Sequence, residues 1–181
     1  MKPTSSGPSI AKIPEGDDRQ RLVCGDCGFV LYENPKIIVG AVCRWQDRWL
    51  LCRRAIEPRR GYWTLPAGYM ELQETTEEGA AREVWEEAGA RVRIGELLAL
   101  YNLPQISQVH MIYRAEMTSP DFAPGPESLD VGLFSWDDIP WGELAYPTVA
   151  WSLCHDRDLM GRSGFAPRGV PQGAEMAPEK P

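Results

Sequence analysis

Apolar residues follow two rhythms along this chain. The runs "KIIVGAVCRW" (36–45) and "RWLLCRR" (48–54) flank the polar pair Gln46-Asp47 and predict two strands joined as a hairpin. "WTLPAG" (63–68) predicts a short strand that stops at Pro66 and Gly68. "RVRIGELLALYNL" (91–103), "SQVHMIYRAEM" (107–117) and "VGLFSW" (131–136) predict three more strands. His110, alternating with apolar neighbours, reads there as a structural strand histidine. Helical rhythm appears twice. After Gly68, Thr75 with Glu78 fits a capping box and Gly89 fits the C′ position. "YPTVAWSLCHDRDLMG" (146–161) predicts a second helix, with Pro147 in its first turn and Gly161 past its end. Residues 1–20 are polar and Pro/Gly-rich and predict a flexible lead-in. Residues 21–35 hold a short turn with two thiols, 36–161 the main domain, and 162–181 the composition of a disordered tail. Without regular βαβ alternation, the order of elements predicts a mixed α/β sandwich rather than a doubly wound sheet.

On a helical wheel with Glu83 at 0°, Glu87 falls at about +40° and Glu86 at about −60°. Ala80, Ala81, Val84, Trp85 and Ala88 fall between about +60° and +200°, which predicts the core face. The helix should therefore carry an acidic edge beside an apolar face. Acids at i, i+3 and i+4 repel by roughly 0.2–0.5 kcal/mol per pair, and Arg82 is the one base on this helix. Clustered carboxylate oxygens are the ligands that Mg²⁺ or Mn²⁺ takes, with other positions left to water and phosphates.

Composition narrows the setting. The chain has 181 residues, 43% of them hydrophobic, enough for one domain with a real core. A net charge of −7 disfavours a nucleic-acid partner but not a small anion held through a divalent cation. No apolar run is long enough for a membrane helix, and the N-terminal residues lack the apolar stretch of a secretory signal. Five cysteines, an odd and sparse set, fit a reducing compartment. A cytoplasmic setting is expected, or a plastid if a longer precursor carries a transit peptide.

The segment from Gly68 reads Gly-x5-Glu74-x7-Arg82-Glu83-Val84-x-Glu86-Glu87-x-Gly89-Ala90. It resembles the Nudix box, departing only where Ala90 is smaller than the usual bulky aliphatic. The resemblance implies an α/β/α sandwich with a mixed sheet whose box helix carries metal-binding glutamates. Glu83, Glu86 and Glu87 would hold Mg²⁺ or Mn²⁺, joined by the backbone carbonyl of Ala67, and Arg82 would pair with Glu74. Gly68 and Gly89 would supply turns that a Cβ would hinder. The implied reaction is hydrolysis of a nucleoside diphosphate linked to another group. The base would be a box glutamate or a later carboxylate, for which Glu127 in "APGPESLD" is the candidate, with Asp130 behind it.

A wider stretch, roughly residues 13–155, resembles Nudix proteins of bacteria and of plant or algal plastids. Those carry an N-terminal zinc ribbon and hydrolyse FAD or ADP-ribose to AMP plus FMN or ribose 5-phosphate. NADH, nucleotide sugars and oxidised (d)NTPs are alternative substrates, and a nucleotide-sensing regulator is the alternative of another class. Here Cys24 and Cys27 form one knuckle of such a ribbon, but residues 1–23 contain neither cysteine nor histidine. A structural zinc needs four ligands, so no zinc is expected. Arg53, Arg54, Arg59 and Arg60 are candidates to clamp phosphates, and Tyr62 to stack on a ring. The expected partner is a small nucleotide diphosphate, with no nucleic acid and no membrane. Members of the family are often dimeric, which makes a homodimer one possibility.

Overall fold

The computed structural model describes residues 7–174, and the chain divides between Pro35 and Lys36 into two compact units. Residues 1–6 and 175–181, parts of the expected flexible ends, lie outside the described residues. The first unit is an antiparallel meander of β1 (Pro8–Lys12), β2 (Arg21–Cys24) and β3 (Val30–Leu31). β1 corrects the expectation of a flexible lead-in: Ile10 and Ala11 pair with Val23 and Leu22. The segment carries no strong strand pattern of its own, and its order comes from the partner strand. Cys24 and Cys27 bracket the β2–β3 turn, which Gly28 N–H closes onto the Cys24 carbonyl at 2.9 Å. None of the five cysteines is in a disulfide.

The second unit is built on a seven-stranded mixed sheet. Its main path runs β10 (Ser128–Phe134), β5 (Arg48–Arg54), β4 (Lys36–Trp45), β9 (Gln108–Met117) and β8 (Val92–Leu103). The short strands β6 (Trp63–Thr64) and β7 (Ala67–Tyr69) pair with β5 and β4 respectively. The β4–β9 pair is parallel and the other pairs are antiparallel. Alternation along β4 sends Val39, Ala41 and Cys43 to one face and Val42 to the other. On the first face they meet Ala80, Val84 and Ala88 of α1 (Thr76–Ala88). On the second, Val42, Leu51, Leu98 and Tyr101 meet Val149 and Leu153 of α2 (Pro147–Asp158). The result is the α/β/α sandwich. Among the described residues no helix is long and apolar enough to cross a membrane.

α1 opens on the capping box, with Thr75 and Glu78 bonding reciprocally, and ends on Gly89 in the left-handed region at φ 59°. Its buried face differs from the expected one. Gly79, Ala80, Glu83, Val84, Glu87 and Ala88 are buried, while Trp85 is 46% exposed under the Arg91 guanidinium, 3.8 Å from its ring centroid. Ala81 is half-buried. The helix is thus rolled by about 80° toward its acids. A hydrophobicity wheel assigns carboxylates to solvent, but here β7 lies over Glu83.

The far end of α2 is fixed by one carboxylate. Asp156 is fully buried and accepts hydrogen bonds from Trp49 Nε1 at 2.9 Å and Arg114 Nε at 2.7 Å. Arg44 Nε stands 3.7 Å away. Arg114 also donates to the Asp156 carbonyl at 2.8 Å and the Arg162 carbonyl at 3.0 Å. Residues 162–174 correct the disordered-tail expectation. Phe165 packs on the α2-side core, Arg168 N–H donates to the Leu98 carbonyl at 2.8 Å, and Leu100 N–H donates to the Arg168 carbonyl at 2.9 Å.

Candidate active site

The site begins with β7. Pairing of Ala67 and Gly68 with Gly40 and Val39 sets that strand at the sheet's centre, beside α1. A Cβ on Gly68 would sit 2.5 Å from both carboxylate oxygens of Glu83, so no larger residue fits while Glu83 keeps its place. From there a loop leads to Glu74, whose carboxylate accepts the Glu71 N–H at 2.7 Å.

Arg82 locks loop to helix with all five of its N–H groups. Nε donates to Glu74 Oε2 at 3.0 Å, and Nη2 donates to Glu74 Oε1 at 2.9 Å and the Tyr69 carbonyl at 3.0 Å. Nη1 donates to Glu83 Oε1 at 2.8 Å and Glu86 Oε2 at 2.9 Å. The paired guanidinium holds the Glu74 carboxyl down at about 2.

Glu83 and Glu87 are the unusual members, being buried carboxylates. Burial raises the proton affinity of Glu83, against the pull of Arg82. Burial first, and the Glu83 charge second, push Glu87 up to about 8, opposed by Arg54 and by the Ala67 N–H. Glu127 is near enough to raise both further. It sits at the end of the loop after β9, where Gly125 N–H donates to the Glu87 carbonyl at 3.0 Å. Glu86 is exposed at the rim.

Glu83, Glu86, Glu87, Ala67 and Glu127 all line one cavity of about 1040 Å³. The same lining includes uncharged side chains: Leu103, Ile106 and Ile112 with Gln108, His110, Thr148 and Ser152. His110 is thereby drawn into the site instead of serving only the strand. Burial lowers it to about 4, so it is neutral, and its Nε2 lies 2.8 Å from Gln108 Oε1. Sequence reasoning missed Gln108, although its position two residues before His110 puts both on one strand face.

The basic loop is only partly drawn in. Arg54 lines the cavity, its Nε bonded to the Pro58 carbonyl at 2.9 Å and its guanidinium over Tyr146. Arg53, Arg60 and Tyr62 are not among the lining residues. Arg53 Nε instead donates to the Gly61 carbonyl at 2.8 Å, and Tyr62 lies under Arg59. Asp130 binds its neighbour's N–H (Val131, 2.9 Å) and is not in the lining either.

The oxygen-only donor set around Glu83, Glu87 and the Ala67 backbone suits a hard divalent cation. The negative excess suits it too, since Arg82 and Arg54 face Glu74, Glu83, Glu86, Glu87 and Glu127. Among the described residues no three acidic, histidine or cysteine side chains converge on one point, because Arg82 Nη1 holds Glu83 and Glu86 to itself. Zinc fits less well. Cys24 is buried and Cys27 exposed, and they are the only cysteine or histidine side chains among the described residues of the first unit.

A family model described as the NUDIX domain matches residues 34–152, and one described as Nudix N-terminal, a zinc ribbon, matches residues 6–33. A MutT-like protein of Streptomyces ambofaciens is 37% identical over 102 residues, covering 56% of this chain and 64% of its own. An ADP-ribose pyrophosphatase of Methanocaldococcus jannaschii is 25% identical over 116 residues, covering 62% and 69%. The NAD-capped RNA hydrolase NudC of Salmonella typhi is 30% identical over 146 residues, covering 80% and 56%. The chain thus spans a little over half of NudC and just under two thirds of the MutT-like protein. Among solved structures, a NUDIX hydrolase from Nitrosomonas europaea superposes with a TM-score of 0.83 at 48% identity, over 89% of this chain and 93% of that one.

Proposed function

The chain belongs to the NUDIX family, and from that premise we propose that it hydrolyses the pyrophosphate bond of a nucleoside diphosphate linked to a second group. FAD or ADP-ribose is the favoured class, yielding AMP plus FMN or ribose 5-phosphate. The observation that carries this reading is the mixed lining of the one cavity, in which Glu83, Glu87 and Glu127 occur together with the uncharged side chains of Ile106, His110 and Ile112. A substrate that combines a pyrophosphate with an uncharged ring matches that combination, and the volume is at the upper end of small-molecule sites. The relative named as an ADP-ribose pyrophosphatase supports the same class.

Mg²⁺ or Mn²⁺, when bound, supplies charge neutralisation of the pyrophosphate and a more acidic water. Glu83 and Glu87, with the Ala67 carbonyl, would hold it, and Glu86 would complete the set from the rim. Arg82 keeps Glu83 and the Glu74 loop in place. Arg54, which lines the cavity close enough to Glu87 to oppose its protonation, would meet the phosphates. A carboxylate, Glu86 or Glu127, takes the proton of the attacking water as its oxygen bonds to phosphorus and the bridging P–O bond breaks.

Incubation with Mg²⁺ or Mn²⁺ tests the reading, against FAD, ADP-ribose, NADH, nucleotide sugars, dNTPs and NAD-capped RNA, with products separated by chromatography. AMP released from FAD or ADP-ribose is the expected result. Turnover confined to dNTPs, or to capped RNA, would replace the substrate assignment. No turnover of any of them would remove the enzymatic reading.

A further inference from the structure

The loop that carries Glu127 is fastened to the end of the helix that carries Glu87. A helix C-terminus leaves its last carbonyls without intrahelical partners, and α1 has no basic residue in its last turn to serve them. Two are served from the β9–β10 loop: Ala123 N–H donates to the Ala88 carbonyl at 2.8 Å and Gly125 N–H to the Glu87 carbonyl at 3.0 Å. On the far side, Ser128 N–H donates to the Gly125 carbonyl at 3.0 Å and Ala55 N–H to the Glu127 carbonyl at 2.8 Å. Glu127 is therefore held between the end of α1 and the end of β5.

Gly125 is the tightest point of this strap. A Cβ there would stand 1.7 Å from the Glu86 carbonyl oxygen and 2.8 Å from its carbon. Those are backbone atoms inside a helix and cannot step aside. Its φ is not in the left-handed region, so close approach, not backbone freedom, excludes a side chain.

We infer that Gly125 is a positioning residue that sets Glu127 against Glu83 and Glu87, so that Glu127 serves the cation and pyrophosphate as a carboxylate of the site. This rests on the function proposed above, with Glu127 drawn from outside the Gly68–Ala90 segment. Alanine at position 125 would lift the loop off α1 and carry Glu127 away while leaving Glu83, Glu86 and Glu87 in place. The loop is largely exposed, so the fold tolerates the change.

Mn²⁺ binding to the full chain, read by electron paramagnetic resonance, tests this without requiring turnover. Gly125→Ala and Glu127→Gln should each raise the Mn²⁺ Kd about tenfold, the lower end of losses seen when ligand-supporting groups are removed. The double variant should show no further rise beyond about twofold, because both changes remove one group. Ala123→Pro, which deletes the other donor to α1, should behave like Gly125→Ala. Where a substrate is turned over, kcat should follow the same non-additive pattern with KM unchanged. A Gly125→Ala Kd equal to wild type, or effects that multiply in the double variant, would overturn the inference. Failure of the wild type to hydrolyse any pyrophosphate, with the Mn²⁺ pattern intact, would sink the proposed reaction and leave the positioning role standing.

Discussion

Two arginine–carboxylate clusters stand at opposite faces of the sheet and solve opposite problems. At the far end of α2, one carboxylate, Asp156, has Arg114 and Arg44 as partners and Trp49 as a further donor. At the Gly68–Ala90 segment one guanidinium, Arg82, serves Glu74, Glu83 and Glu86, while Glu87 is buried beside them. The first cluster is satisfied within the fold and joins α2, β4, β9 and the tail. In the second, acids outnumber bases, which is costly for a buried group unless a cation is added. Charge that balances inside the protein marks a structural joint, and charge that does not marks a ligand site.

The widest separation between the two should come from Asp156→Ala. Removing one partner of a buried ion pair costs about 3–5 kcal/mol, because Arg114 and Trp49 are left unsatisfied. A large drop in the denaturation midpoint is expected, with kcat preserved below that midpoint. Loss of kcat in a stable protein would erase the distinction. Glu87→Gln should do the reverse, lowering kcat by more than about 100-fold, since loss of supporting groups alone costs 10–100-fold. Its metal-free stability should be equal to wild type or higher, since the amide carries no buried charge, and calorimetry checks it.

A pH series tests the same difference. Glu87 holds its proton up to about 8 in the folded protein, against 4.5 for an ordinary glutamate. Between those values the folded state binds a proton that the unfolded state has lost, so metal-free stability falls as pH rises through this window. Millimolar Mg²⁺ should restore it most at the upper end, and Glu87→Gln should flatten the profile. A flat wild-type profile would count against the burial of that charge. The mildest change is Arg44→Met. At 3.7 Å and partly exposed, Arg44 is the weaker partner of Asp156, and its loss should cost about 1 kcal/mol or less by denaturant titration.

What was legible in the sequence was local. The capping box at Thr75 and Glu78, the β4–β5 hairpin around Gln46-Asp47, and the acidic repeat from Glu83 to Glu87 rest on neighbours a few residues apart. What was hidden depended on distant partners. Trp85 looked like core because nothing near it in sequence says that β7 will cover Glu83 instead. β1 gave no strand signal because β2 supplies its order. Asp156 carries no local signal of its role, since Trp49, Arg44 and Arg114 come from other strands. Arg114, a charge inside an apolar strand, was the one visible hint. Of the loop arginines, composition could not tell Arg54, which lines the cavity, from Arg53 and Arg60, which do not.

The pairing of Arg168 with Leu98 and Leu100 has a consequence apart from the site. β8 is the last strand of its sheet, and an open edge is a template on which a foreign strand can add. By taking a carbonyl and an N–H of β8, the segment around Arg168 occupies part of that edge with this chain's own backbone. The residues that composition would discard as tail thus help keep the sheet from growing beyond the molecule.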